Sequence, residues 1–119
     1  MNSEPFKPVW FVVETKRELN AHYRRVLPII REVARNHGYA IGLHGSMKRD
    51  LDLMAFPWTE KHCKHTTLLK AIQKACCGFS EKIDRRKCIK PCGRRAYLIH
   101  IGMKAHLDIS IAPSVTLAE

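Results

Sequence analysis

The chain has 119 residues, 45% of them hydrophobic, and 21 Lys and Arg against 11 Asp and Glu give it a net charge of +10. That length is enough for one hydrophobic core and too short for two, so residues 1–119 are read as a single domain. No stretch reaches the roughly 18 consecutive apolar residues of a membrane span, and Met1 to Pro8 lack the basic start and apolar run of a signal peptide; a soluble, cytoplasmic protein without a membrane partner is expected.

Residues 8–14, rich in β-branched and aromatic types, read as a short strand. Residues 15–37 read as a helix, with Tyr23, Val26, Ile30, Val33 and Ala34 at helical spacing and Arg24, Arg25, Arg31 and Arg35 largely off that stripe. Pro28 is expected to kink or divide the helix near Leu27, because it lacks an N–H and clashes with the preceding turn. Gly38 is placed to stop it. Residues 39–44 and 50–56 read as strands, and the short Gly45 to Arg49 link predicts that they pair antiparallel. Pro57-Trp58 closes the second of them. A helix follows over about 60–77, with Leu68, Leu69, Ile72, Ala75 and Cys76 as its buried stripe and Gly78 as its stop. Residues 79–93 are polar and basic and read as a loop. Two further strands, 94–101 and 106–112, are joined through Gly102 to Ala105. The last alternates strictly, with His106, Asp108 and Ser110 on one face and Leu107, Ile109 and Ile111 on the other. The fold class is α+β: a mostly antiparallel or mixed sheet with two main helices packed on one face.

The chemistry centres on Gly45-Ser46-Met47-Lys48-Arg49-Asp50-Leu51-Asp52-Leu53. Strand period puts Asp50 and Asp52 on one face, roughly 6–7 Å apart between Cα atoms, with Leu51 and Leu53 turned to the core. Carboxylates at that separation can converge on a hard cation, and Mg²⁺ or Mn²⁺ is the expected cofactor. Asp108 supplies a third carboxylate on the polar face of another strand. Three such groups beside a phosphate site suit two-metal phosphoryl transfer. Gly45 lets the backbone approach a phosphate, the Ser46 hydroxyl can donate to it, and Lys48 and Arg49 add positive charge. Asp50, Asp52 and Asp108 are thus the candidate catalytic and metal residues, and Gly45, Ser46, Lys48 and Arg49 the candidate nucleotide-binding residues.

These residues resemble a family. Gly45-Ser46, then Asp50-Leu51-Asp52-Leu53, then Leu107-Asp108-Ile109 on a later strand look like the pattern of the DNA polymerase β-like nucleotidyltransferase superfamily. The resemblance implies a nucleotidyltransferase-like domain and Mg²⁺-dependent transfer of a nucleoside monophosphate from a nucleoside triphosphate to an acceptor. It implies that Ser46 binds the β- and γ-phosphates and that Asp50, Asp52 and Asp108 hold the metals. The stretches His44 to Trp58 and Gly93 to Pro113 are similar to small uncharacterised proteins of tailed bacteriophages, which implies the cytoplasm of a bacterial host. The family places a short helix between Gly-Ser and Asp-x-Asp. Here only Met47, Lys48 and Arg49 intervene, so the phosphate cradle is a tight turn without the helix dipole. The chain lacks room for a separate acceptor domain, which a homodimer or a partner would supply. The competing reading is a catalytically degenerate binding or regulatory module of the same fold, whose positive field attracts nucleic acid or an acidic host protein.

Other residues carry weaker signals. His44 and His100 lie near strand ends that can reach the site, as phosphate binders, bases or structural histidines. Arg94 and Arg95 read equally as phosphate contacts and as surface residues. Lys82, Arg85, Arg86 and Lys87 read equally as polynucleotide contacts and as solubilising charge. Trp10 and Trp58 read as core more than as base-stacking platforms. The five cysteines read as reduced thiols; a zinc set drawn from His62, Cys63, His65, Cys88 and Cys92 has no strong ligand spacing.

Overall fold

The computed structural model describes residues 16–45, 50–83, 93–102 and 104–114. Its elements in chain order are α1 (Lys16–Asn36), β1 (Tyr39–His44), β2 (Leu51–Pro57), α2 (His65–Cys77), β3 (Arg95–His100) and β4 (His106–Ile111). The strand read at residues 8–14 lies outside the described residues, as do Cys88, Cys92 and the Arg85-Arg86-Lys87 run.

The four strands form one mixed sheet in the order β1-β2-β4-β3. β1 and β2 pair antiparallel, with Tyr39 opposite Pro57 and His44 opposite Asp52. β3 and β4 pair antiparallel, with His100 opposite His106. Between these two antiparallel pairs, β2 runs parallel to β4, with Leu51 beside Leu107 and Ala55 beside Ile111. Alternation then sorts the side chains. Leu51, Leu53, Ala55, Leu107, Ile109, Ile111, Tyr97 and Ile99 are buried on the helix-covered face. The other face carries Asp52, Met54, His106, Asp108 and Ser110, all only partly buried.

α1 contributes His22, Tyr23, Val26, Ile30 and Ala34 to the interior. It is one continuous helix, and Pro28 does not divide it. Pro28 is exposed, so the Arg24 carbonyl that loses its helical donor faces water, which can replace the missing N–H. The helix stops at Gly38, whose N–H donates to the Arg35 carbonyl at 3.1 Å. Gly38 has φ +88, and a Cβ there would come within 2.5 Å of the His62 Cα. Only glycine meets both conditions.

α2 starts later than its sequence pattern predicts, at His65 and not near residue 60. Lys64 is extended, at φ −65 and ψ 154, so residues 60–64 form the approach to the helix. Its buried face also differs in one place. Ala75 is exposed, and Gln73, on the other side of the helix, is 2% exposed. The Gln73 amide is satisfied at both ends: its nitrogen donates to the His100 carbonyl at 3.0 Å, and its oxygen accepts from the Glu81 N–H at 2.7 Å. Burial of a paired amide is tolerated where an unpaired one is costly.

Candidate functional site

Gly45 ends the first strand of the antiparallel pair with φ +81, a left-handed conformation that turns the chain toward β2. A Cβ on Gly45 would fall 2.8 Å from Asp52 Oδ2. The bare backbone of Gly45 and the Asp52 carboxylate therefore share one small space. Ser46, Lys48 and Arg49 lie outside the described residues, so the proposed phosphate turn is described only at its two ends, Gly45 and Asp50.

The parallel pairing sets the rest. Asp52 and Asp108 are register partners on β2 and β4, and His44 is the partner of Asp52 on its other side. A row His44–Asp52–Asp108 thus crosses three strands on the open face. The row borders a cleft of about 200 Å³, lined also by Met54, Arg94 and Ser110. The Arg94 guanidinium donates to the Met54 sulfur at 3.8 Å. The sequence left Arg94 and His44 undecided; the structure brings both to the cleft. His100 is elsewhere. Its Nδ1–H donates to the Gly102 carbonyl at 2.9 Å, and its ring packs edge-on against His106 with centroids 4.5 Å apart.

The electrostatics of the row are those of crowded like charges. Burial pushes the Asp52 carboxyl above the usual carboxylate range, Asp108 and then Asp50 push it further, and His44 opposes them. Asp50 stands one residue before β2. Among the described residues, no group of three or more His, Cys, Asp or Glu side chains is arranged to hold a metal ion. The carboxylates thus make a cross-strand pair with Asp50 at its flank, and not a closed three-ligand cage.

A divalent cation still fits the donor set. Two adjacent carboxylates supply hard oxygen ligands, which is the usual protein share of a Mg²⁺ site completed by water and substrate phosphate. Burial is the first cause of the raised Asp52 carboxyl, and the Asp108 and Asp50 charges, the second, are what a cation would offset.

Two residues near the site were read otherwise or not at all. Tyr23 was assigned to the core, and it is fully buried. Its hydroxyl also reaches the sheet, accepting the His106 N–H at 3.3 Å. Burial pushes that hydroxyl up, the His106 N–H opposes it, and the charges of Asp50 and Asp52 add to the rise, so Tyr23 stays protonated at neutral pH. His22 was not singled out. It is 5% exposed, donates from Nε2 to the Ile101 carbonyl at 2.8 Å, and accepts at Nδ1 from Arg25 at 2.8 Å. It ties α1 to the turn between β3 and β4. The signal for it was available: His22 stands four residues before Val26 and so continues the buried stripe.

Of the described zinc candidates, His62 and His65 are engaged in other bonds and Cys63 is a free thiol. The His62 ring donates to the Thr59 carbonyl and bonds to the Ser114 hydroxyl, both at 2.7 Å. His65 Nδ1 bonds to the Tyr97 hydroxyl at 2.9 Å. Cys76 and Cys77 are buried, with thiols pushed up by burial to about 12 and about 11; such thiols are inert.

No protein-family model, curated protein or solved structure matches this chain. Among the described residues, no helix is long and apolar enough to cross a membrane.

Proposed function

We propose that this chain is a minimal nucleotidyltransferase-like protein, using Mg²⁺ or Mn²⁺ to transfer a nucleoside monophosphate from a nucleoside triphosphate to an acceptor. The observation that carries the reading is the register pairing of Asp52 with Asp108, at a cleft with Arg94 and beside Gly45. Asp52 and Asp108 would hold the cation, with Asp50 completing the set when substrate is present. The bound cation supplies charge neutralisation on the phosphates and acidifies the attacking hydroxyl. The bare Gly45 backbone leaves room for the Asp52 carboxylate at the edge of the site. The Arg94 guanidinium offers donors to the charge that develops on the transferred phosphoryl group. Tyr23 supports the site from below by fixing the His106 backbone, which leads into the strand of Asp108.

The test is transfer of label from α-labelled nucleoside triphosphates, with Mg²⁺ and bacterial lysate as acceptor source, alongside pyrophosphate release. Wild-type protein should label an acceptor and release pyrophosphate. An Asp52→Asn, Asp108→Asn variant should lose at least about 100-fold of that rate, the order seen when transition-state charge stabilisation is removed. Equal labelling by the variant would sink the assignment. A second reading, a non-catalytic binding module of the same fold, is favoured by the net charge of +10. It predicts no label transfer by wild-type protein and polyanion binding that persists in the Asp variant.

A further inference from the structure

The outer face of α1 has no part in the carboxylate site. Arg17, Arg24 and Arg31 recur every seven residues, and Arg35 follows one turn later; all four are exposed. At 3.6 residues per turn these positions fall within about 40° of one another, so they form a single ridge. At about 1.5 Å per residue the ridge runs roughly 27 Å along the helix. Its last two members open onto a cleft of about 400 Å³, bounded by Arg31, Arg35, Tyr39, Ala40, Ile41 and Trp58. The side chains of Arg31 and Arg35 bond to no other described residue.

Trp58 corrects the sequence reading. It is not core: it is 65% exposed, the most exposed of the large hydrophobic side chains described. Its backbone N–H donates to the Gly38 carbonyl at 3.1 Å, which fixes the Trp58 backbone where α1 ends and β1 begins. An exposed indole held beside two unengaged guanidinium groups is a composition suited to one ligand chemistry. The guanidinium groups take phosphates, and the indole stacks on an unpaired base. A base inside a duplex cannot present its face in this way.

We infer that the Arg17–Arg24–Arg31–Arg35 ridge and Trp58 form a binding surface for single-stranded nucleic acid. The surface lies apart from the carboxylate row. Trp58 is six residues beyond Asp52 on the strand path, about 20 Å at strand rise. It therefore stands whether or not the chain transfers nucleotides, and it names a class of polymer that such a reaction could act upon.

The test uses the full chain with Trp10→Phe, which leaves Trp58 as the sole indole of the two. A short oligothymidylate should quench its emission saturably at low salt. Anisotropy of the same oligonucleotide, fluorescein-labelled, with unmodified protein gives an independent affinity. Arg31→Ala, Arg35→Ala should weaken binding roughly ten-fold or more and lower the logarithmic salt slope by about 1–2. Trp58→Ala should weaken it by a comparable factor, and Trp58→Phe should restore most of the loss. The Asp52→Asn, Asp108→Asn variant should bind as wild type, which separates this surface from the carboxylate site. No quenching and no anisotropy change at low salt would overturn the inference. So would an unchanged affinity in the double Arg variant. Equal binding of a duplex, or equal competition by polyglutamate, would reassign the ridge to duplex or to an acidic protein surface.

Discussion

Asp52 is held beside Asp108 by the register of two parallel strands, and it carries a cost for that position. Its carboxyl is raised by burial first and by the neighbouring carboxylates second. The direction of linkage follows. The unfolded chain gives up this proton more readily than the folded one, so the contribution favours folding below the ordinary carboxylate pKa, about 3.9, and is lost as pH rises through the folded value. Asp52→Asn should therefore stabilise the cation-free protein at neutral pH, by about 0.2–1 kcal/mol, the size of a cross-strand charge effect. The gain should shrink toward zero in acid below pH about 4. Urea denaturation at both pH values reads this directly, and a destabilised variant at neutral pH would refute it. The same change should remove cation binding, which is the usual exchange of stability for function at a charged site.

At the level of elements, the helices and hairpins were legible because they depend on near neighbours. The buried stripe of α1 follows from residues three and four apart, and the short Gly45 to Arg49 link leaves β1 and β2 little choice but to pair antiparallel. The misreadings have particular causes. Ala75 reads as buried by its type and is exposed, while the polar Gln73 is buried because the His100 carbonyl and the Glu81 N–H satisfy its amide. Trp58 reads as core by its size, while it lies just past the end of β2 at Pro57 and is exposed. His22 belongs to the same lesson, and it has a pH consequence. Burial, chiefly, and the nearby Arg25 lower its pKa from 6.5, while the bond to Ile101 opposes them. A proton on Nδ1 would also face the guanidinium that now donates to it. Stability from this group is present above 6.5 and is lost as pH falls through the lowered folded value. His22→Gln should flatten that part of the stability profile. His22→Ala should cost about 1–3 kcal/mol at neutral pH by leaving the Ile101 carbonyl unpaired. Thermal unfolding across mildly acidic pH compares the three proteins, and identical profiles would contradict the assignment.

At the scale of the molecule, what the sequence could not supply was neighbour order in the sheet. Alternation tells which face each of Asp52 and Asp108 occupies, and nothing about whether β4 lies beside β2 or beyond it. That order depends on how the two antiparallel pairs and the helices assemble around one core, which is a property of the whole chain. The site was therefore legible as a set of residues and as a face. It was not legible as a row with His44 at one end and Arg94 at its edge. The helix-side ridge was present in the spacing of its arginines, yet its meaning depended on the exposed indole at its end.

The parallel contact between β2 and β4 has one more consequence. The two strands are separated in the chain by α2 and β3, and no turn can bring them together. Contacts between segments so far apart in the chain cost loop-closure entropy. A cation held by Asp52 and Asp108 would then act as a clasp on this seam. Its binding free energy would appear as resistance to unfolding, about 2.7 kcal/mol at a hundred times its dissociation constant. Mg²⁺ or Mn²⁺ should raise the unfolding midpoint of wild-type protein and leave the Asp52→Asn, Asp108→Asn variant unmoved, and a chelator should return the two to separate, cation-free values.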